Sequence, residues 1–125
     1  MAVVNKFMML SVAVRDMPKM KEFYVDRLGL EVRADYRQDD DNWWVSLTMP
    51  DGGVTVTLTT NHENMQPGTM KLYLTVADAA AASGELCGKD IDASEAKDDL
   101  FGPGSGVKWC CVSDPECNQV LLVQV

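Results

Sequence analysis

The stretch VAVRDMPKMKEFYVDRLGLEV, Val12 to Val32, decides the fold. It opens on the end of an apolar run, Phe7 to Val14, that reads as a first strand apolar enough to be buried on both faces. Asp16 then offers a helix N-cap. Pro18 falls in the first turn, where its missing N–H costs nothing. Met17, Met20, Phe23, Tyr24 and Leu28 recur at helical spacing, and Gly29 closes the helix. Leu30 to Arg37 alternates and reads as a second strand.

Outward from this stretch the pattern continues. Gln38 to Asn42 is a polar turn carrying Asp39, Asp40 and Asp41, and Trp43 to Met49 is a third strand. Pro50-Asp51-Gly52-Gly53 is a turn, and Val54 to Thr60 is a fourth strand of period two. The first half therefore reads β-α-β-β-β over about residues 5–60, and residues 61–69 form a linker. The second half, residues 70–125, starts over. Met70 to Val76 is a strand, Asp78 caps a helix over Ala79 to Cys87, and Gly88 ends it. Ile91 to Lys97 is a weakly patterned strand, followed by a Gly/Pro-rich loop over Asp98 to Gly106. Val107 to Ser113 and Gln119 to Val125 are strands joined by a turn over Asp114 to Asn118. Asp16 and Asp78 are separated by nearly the same interval as the turns at Pro50 and Asp114, which points to duplication of one unit. Either half alone leaves one sheet face uncovered. Pairing two such sheets solves that and produces a cleft.

Composition narrows the function. The chain has 125 residues, 46% hydrophobic and 24% charged, which is globular usage within the range of one domain. A net charge of −8 argues against nucleic acid and against an anionic membrane surface. It mildly favours cationic ligands, although such charge more often serves solubility. No apolar run approaches the roughly 18 residues of a membrane span. No small-residue cleavage site follows Phe7 to Val14, so a cytoplasmic location without a signal peptide is expected. Cys87, Cys110, Cys111 and Cys117 form no CxxC pair, and the one histidine, His62, is far from them in sequence. Free thiols are expected rather than a zinc site.

The opening stretch resembles the start of vicinal-oxygen-chelate domains, the superfamily of glyoxalases, bleomycin-resistance proteins and extradiol dioxygenases. The matching residues are Asp16, Phe23, Tyr24, Leu28 and Gly29. The segment VSDPECNQVLLVQ is similar to the family's closing hairpin through Asp114, Pro115 and Asn118, with Cys117 standing where the family usually has glycine. The resemblance implies an α+β fold of two βαβββ modules, a glyoxalase-like α/β roll with a cleft between curved sheets. It also implies a divalent-metal site in the family's enzymes, with ligands on the first and fourth strands of each module. Carried onto this chain, those positions are Met9, Thr57, Lys71 and Leu121. None is an ordinary ligand for a hard or borderline divalent ion. Shifting the register by one residue finds nothing better.

No metal and no cofactor are therefore expected. The leading expectation is metal-free binding of a small molecule, aromatic or cationic, such as an antibiotic. The resemblance adds a homodimer. Trp43, Trp44 and Trp109 lie on strands and offer stacking surface, and Met9, Thr57, Lys71 and Leu121 complete the candidate set. Trp43 and Trp44 must point to opposite faces of their sheet, so only one of them faces the ligand. Strand tryptophans are more often core than platform. Asp39 to Asp41 could attract a cation or simply form a solvated turn. The rival expectation is a lyase or isomerase with a non-standard site, in which Lys71 works beside Glu31 or Asp35.

Overall fold

The computed structural model describes residues 3–50 and 52–125. Asp51, in the expected turn after Pro50, lies outside the described residues. The fold is mixed α+β and divides into two compact units, Met1–Pro67 and Gly68–Val125.

The first unit contains β1 (Met9–Ala13), α1 (Met17–Lys21), a π-helical continuation (Glu22–Arg27), β2 (Glu31–Asp39), β3 (Asn42–Thr48) and β4 (Thr55–Thr59). Its sheet has the order β1-β4-β3-β2, with β1 parallel to β4 and the other pairs antiparallel. Asp16 caps α1 by accepting the Lys19 N–H at 3.1 Å, as its position suggests. Beyond Lys21 the helix widens. Leu28 N–H reaches the Phe23 carbonyl at 3.0 Å, and Gly29, at φ 88°, lets Leu30 N–H turn back to Tyr24. Met17, Met20, Phe23 and Tyr24 are buried with Val12, Val45, Leu47, Val56 and Leu58. Full burial of each such side chain contributes roughly 1.5–3 kcal/mol.

Two expectations for this unit need correction. The first strand is not buried on both faces along its length: Phe7 and Met8 are exposed, and burial begins at Val12. The reason is topological, because β1 is a sheet edge and residues before Met9 have no strand to pair with. Every residue of β2 is exposed as well, since β2 forms the other edge and carries two register shifts against β3.

The second unit contains β5 (Lys71–Val76), α2 (Ala79–Gly88), β6 (Trp109–Ser113) and β7 (Gln119–Gln124). Its sheet has the order β5-β7-β6, with β5 parallel to β7. Asp78 caps α2 through Ala81 N–H at 3.0 Å. Gly88 belongs to the helix, and the left-handed residue that ends it is Asp90, at φ 62°. Ile91 N–H bonds the Leu86 carbonyl there, and aspartate tolerates this conformation better than most residues. The strand expected over Ile91 to Lys97 is reduced to two isolated bridges, Ala93 with Val112 and Lys97 with Trp109. Between them the Ser94 hydroxyl takes the Cys111 N–H at 2.8 Å, and a side chain thus replaces the carbonyl a ladder would use.

The turn between β6 and β7 is held by buried polar groups. Asp114 Oδ1 accepts Glu116 N–H at 2.9 Å and Asn118 N–H at 3.0 Å, and its Oδ2 accepts Asn118 Nδ2 at 2.7 Å. Asn118 Oδ1 in turn accepts Met70 N–H at 2.9 Å. Asn118→Ala leaves the Asp114 carboxylate and Met70 N–H short of a partner. It is expected to cost about 2–4 kcal/mol in urea unfolding. Cys117 sits at φ 71°, a conformation that costs a residue with a Cβ. Cys117→Gly is expected to raise stability by about 1 kcal/mol, less the entropy glycine adds to the unfolded chain.

Candidate functional site

Register sorts the side chains of the first sheet. Val12, Val45, Leu47, Val56 and Leu58 share the face covered by α1. Met9, Ser11, Thr55, Thr57, Thr59, Ser46, Trp44 and Tyr36 fall on the opposite face. Thr57 is 1% exposed. Its hydroxyl donates to Met9 Sδ at 3.3 Å and lies 3.0 Å from Ser46 Oγ, so Ser46 is the donor in that second pair. Trp44 packs obliquely on Tyr36, with ring centroids 5.8 Å apart. Arg33, at a register shift, reaches Thr55 Oγ1 at 3.5 Å.

Trp43 takes the α1 side. Its indole N–H donates to Asp35 Oδ1 at 2.7 Å, and the Arg37 guanidinium lies 4.2 Å from its ring centroid. Lys21 of α1 holds the other Asp35 oxygen at 2.8 Å. The Lys21 ammonium, with help from the Trp43 N–H, holds the Asp35 carboxyl below its ordinary value, against the opposing effect of burial. The run Asp39 to Asp41 is structural in part. Asp39 Oδ1 accepts Asp41 N–H at 2.9 Å and Asn42 Nδ2 at 3.0 Å, while Asp40 pairs with Arg37. These contacts tie two of the three carboxylates into the turn itself.

In the second sheet, Leu72, Val112, Val120, Leu122 and Cys110 point to the α2 side. Burial raises the Cys110 thiol above its ordinary value, which suits an inert core thiol. The other face carries three rows across β5, β7 and β6: Lys71, Gln119 and Ser113; then Tyr73, Leu121 and Cys111; then Thr75, Val123 and Trp109. Lys71 Nζ lies 5.7 Å from the Tyr73 ring centroid. Trp109 Nε1 donates to Asp99 Oδ1 at 3.1 Å, and Lys97 Nζ lies 5.9 Å from its ring.

Within the first unit Met9 and Thr57 come into contact, and within the second Lys71 and Leu121 share a face. Trp44 lies on the face of Thr57, and Trp109 on the face of Lys71. Trp43 is turned away. The donor chemistry does not fit a divalent metal: a thioether, a hydroxyl already donating, an ammonium and a hydrocarbon. Among the described residues no group of three or more His, Cys, Asp or Glu could hold a metal ion. Sequence reasoning missed Arg33, Tyr36, Ser46 and Tyr73 on these faces. Period-two counting from Lys71 would have found Tyr73. The others needed the strand register.

Residues 6–120 match the family model of the Glyoxalase/Bleomycin resistance protein/Dioxygenase superfamily, and the chain belongs to that superfamily. No curated protein matches it. Among solved structures, TnmS3, an antibiotic binding protein from Streptomyces sp. CB03234, superposes with a TM-score of 0.86 at 23% identity, covering 99% of this chain and 98% of that one. A superfamily member from Sphaerobacter thermophilus DSM 20745 gives 0.83 at 23% identity, covering 99% and 100%. A glyoxalase/bleomycin resistance protein from Streptomyces sp. CB03234 gives 0.78 at 24% identity, covering 95% and 100%. At these identities the likeness is one of fold.

Asp35 provides a test of the α1 side of the first sheet. Because its pKa is lowered on folding, its contribution is present at neutral pH and is lost as the pH falls through that lowered value, below about 4. Asp35→Asn is expected to cost about 0.5–1 kcal/mol at pH 7, given the partial exposure of the pair. In urea unfolding the gap between the two proteins should narrow as the pH is taken below the ordinary carboxylate range.

Proposed function

We propose that the chain is a metal-free binding protein for a small aromatic compound, such as an antibiotic, acting as a cytoplasmic homodimer. The observation that carries this reading is the pair Met9 and Thr57. These residues stand on the strands where the resemblance puts metal ligands, and they bond each other instead. Lys71 and Leu121, at the corresponding places in the second unit, offer an ammonium and a hydrocarbon. What remains on these faces is stacking surface: Trp44 beside Tyr36 in one unit, Tyr73 and Trp109 in the other. TnmS3 supports the antibiotic part of the reading through its own description. The proposed ligand residues are Met9, Thr57 and Trp44 in the first unit and Lys71, Leu121 and Trp109 in the second. Trp43 is left out because Asp35 and Arg37 occupy its N–H and its ring.

The homodimer is supported by the exposed apolar side chains Val4, Phe7 and Met8, and light scattering reads it directly. The cytoplasmic location is supported by four free cysteines. No helix among the described residues is long and apolar enough to cross a membrane.

Titrating the protein with a panel of aromatic antibiotics should give saturable quenching of tryptophan fluorescence. Trp44→Phe should weaken the signal of bound compounds, while Trp43→Phe should not change their affinity. No quenching across the panel, or stoichiometric nickel, zinc, iron or manganese retained through purification, would overturn the proposal.

A further inference from the structure

The second unit's exposed sheet face has a definite polarity. Its first row is polar and carries one charge, Lys71, beside Gln119 and Ser113. Its second and third rows carry Tyr73, Leu121, Val123 and Trp109. The three strands place no carboxylate on this face. Asp99 approaches it only at the far end, where it accepts the Trp109 N–H. Among the described residues Lys71 has no ion pair, although the chain carries a net charge of −8. An ammonium beside an exposed ring, with no carboxylate holding it, is open to an anion. Tyr73, at 56% exposure, leaves its ring open to a second ring.

We infer that this face binds an anionic aromatic compound, with its rings on Tyr73 and its acid group on Lys71. The inference rests on the proposed binding function and fixes the sign of the ligand's charge, opposite to the one the acidic composition suggests. Net charge sets only the long-range field, which salt screens over about 10 Å. A contact ammonium acts at hydrogen-bond distance, where a charge-assisted bond outweighs it. The dimensions agree. Successive rows on one face lie about 6.8 Å apart along the strands, so a fused three-ring system laid along them covers the second and third rows. An acid at one end of such a system meets the polar row while the rings cover the apolar rows.

Three anthracenes test this, carrying a carboxylate, a hydroxymethyl or an aminomethyl group on the same ring carbon. Their affinities are measured by calorimetry with the intact chain. The carboxylate is expected to bind about tenfold more tightly than the amine, and the advantage should shrink as salt rises. Lys71→Met should remove the advantage, so that the carboxylate and the amine bind alike. Lys71→Glu should reverse the order, and Lys71→Arg should keep it. An amine that binds as tightly as the carboxylate, or a carboxylate affinity indifferent to Lys71→Met, overturns the charge assignment and leaves aromatic binding standing. Failure of all three compounds to bind overturns both.

Discussion

The second sheet depends on one buried amide. Asn118 is fully buried, gives its N–H2 to Asp114 and takes the N–H of Met70. The first bond closes the turn between β6 and β7. The second ties that turn to the residue just before β5, in a parallel pair that no hairpin could align. The register that follows, Lys71 beside Gln119 and Tyr73 beside Leu121, is set at its first step. A slip of one residue would exchange the two faces of the strand. Lys71 and Tyr73 would turn toward α2, and Leu72 would turn outward. The polarity of this sheet face is therefore a consequence of a hydrogen bond outside it. Gly68 belongs to the same device, since a Cβ there would stand 2.5 Å from the Glu116 carbonyl oxygen.

The first unit solves the same problem with different chemistry. Its parallel pair, β1 with β4, continues past the strand ends through Val14 N–H to the Thr59 carbonyl at 2.9 Å. The carbonyl of Val14 accepts a ring nitrogen of His62 at 2.7 Å, which ties the loop after β4 back to the end of β1. His62, in the linker expected over residues 61–69, is half-buried and holds backbone. On β4, Thr55 accepts from Arg33, Thr57 bonds Met9 and Ser46, and Thr59 bonds the Asn61 backbone, so among the described residues a polar stripe is buried without a missing partner.

How much of this was legible in the sequence follows from the range of each interaction. Asp16, Gly29, Asp78 and Asp114 act on residues within a turn of themselves, so their spacing alone located both helices and the closing hairpin. The strand expected at Ile91 to Lys97 failed because one hydroxyl, Ser94, displaced a ladder bond, and no period-two pattern records that. The alternation rule separated Trp43 from Trp44, but assigning the faces required knowing which strand neighbours carried α1. Lys21 supplied that answer, at a distance in sequence that no local pattern spans. The exposure of Phe7 and Met8 was hidden for a related reason: apolar runs look alike at the centre and at the edge of a sheet.

The same distinction separates scaffold from chemistry in this superfamily. Caps and turns that specify the fold are short-range and leave the sheet faces free to vary. A metal site needs several donors from different strands to agree, whereas a stacking surface needs only rings on one face and a charge at its end. Met9 and Thr57 offer that strand pair only a thioether and a hydroxyl, and building a divalent-metal site there would take coordinated changes on both strands. Tyr73 and Lys71 need no such agreement, because they are two residues apart on one strand and face the same way by its pleat. The proposed binding face can therefore change its ligand by single substitutions while the hydrogen bonds of Asn118 hold its shape.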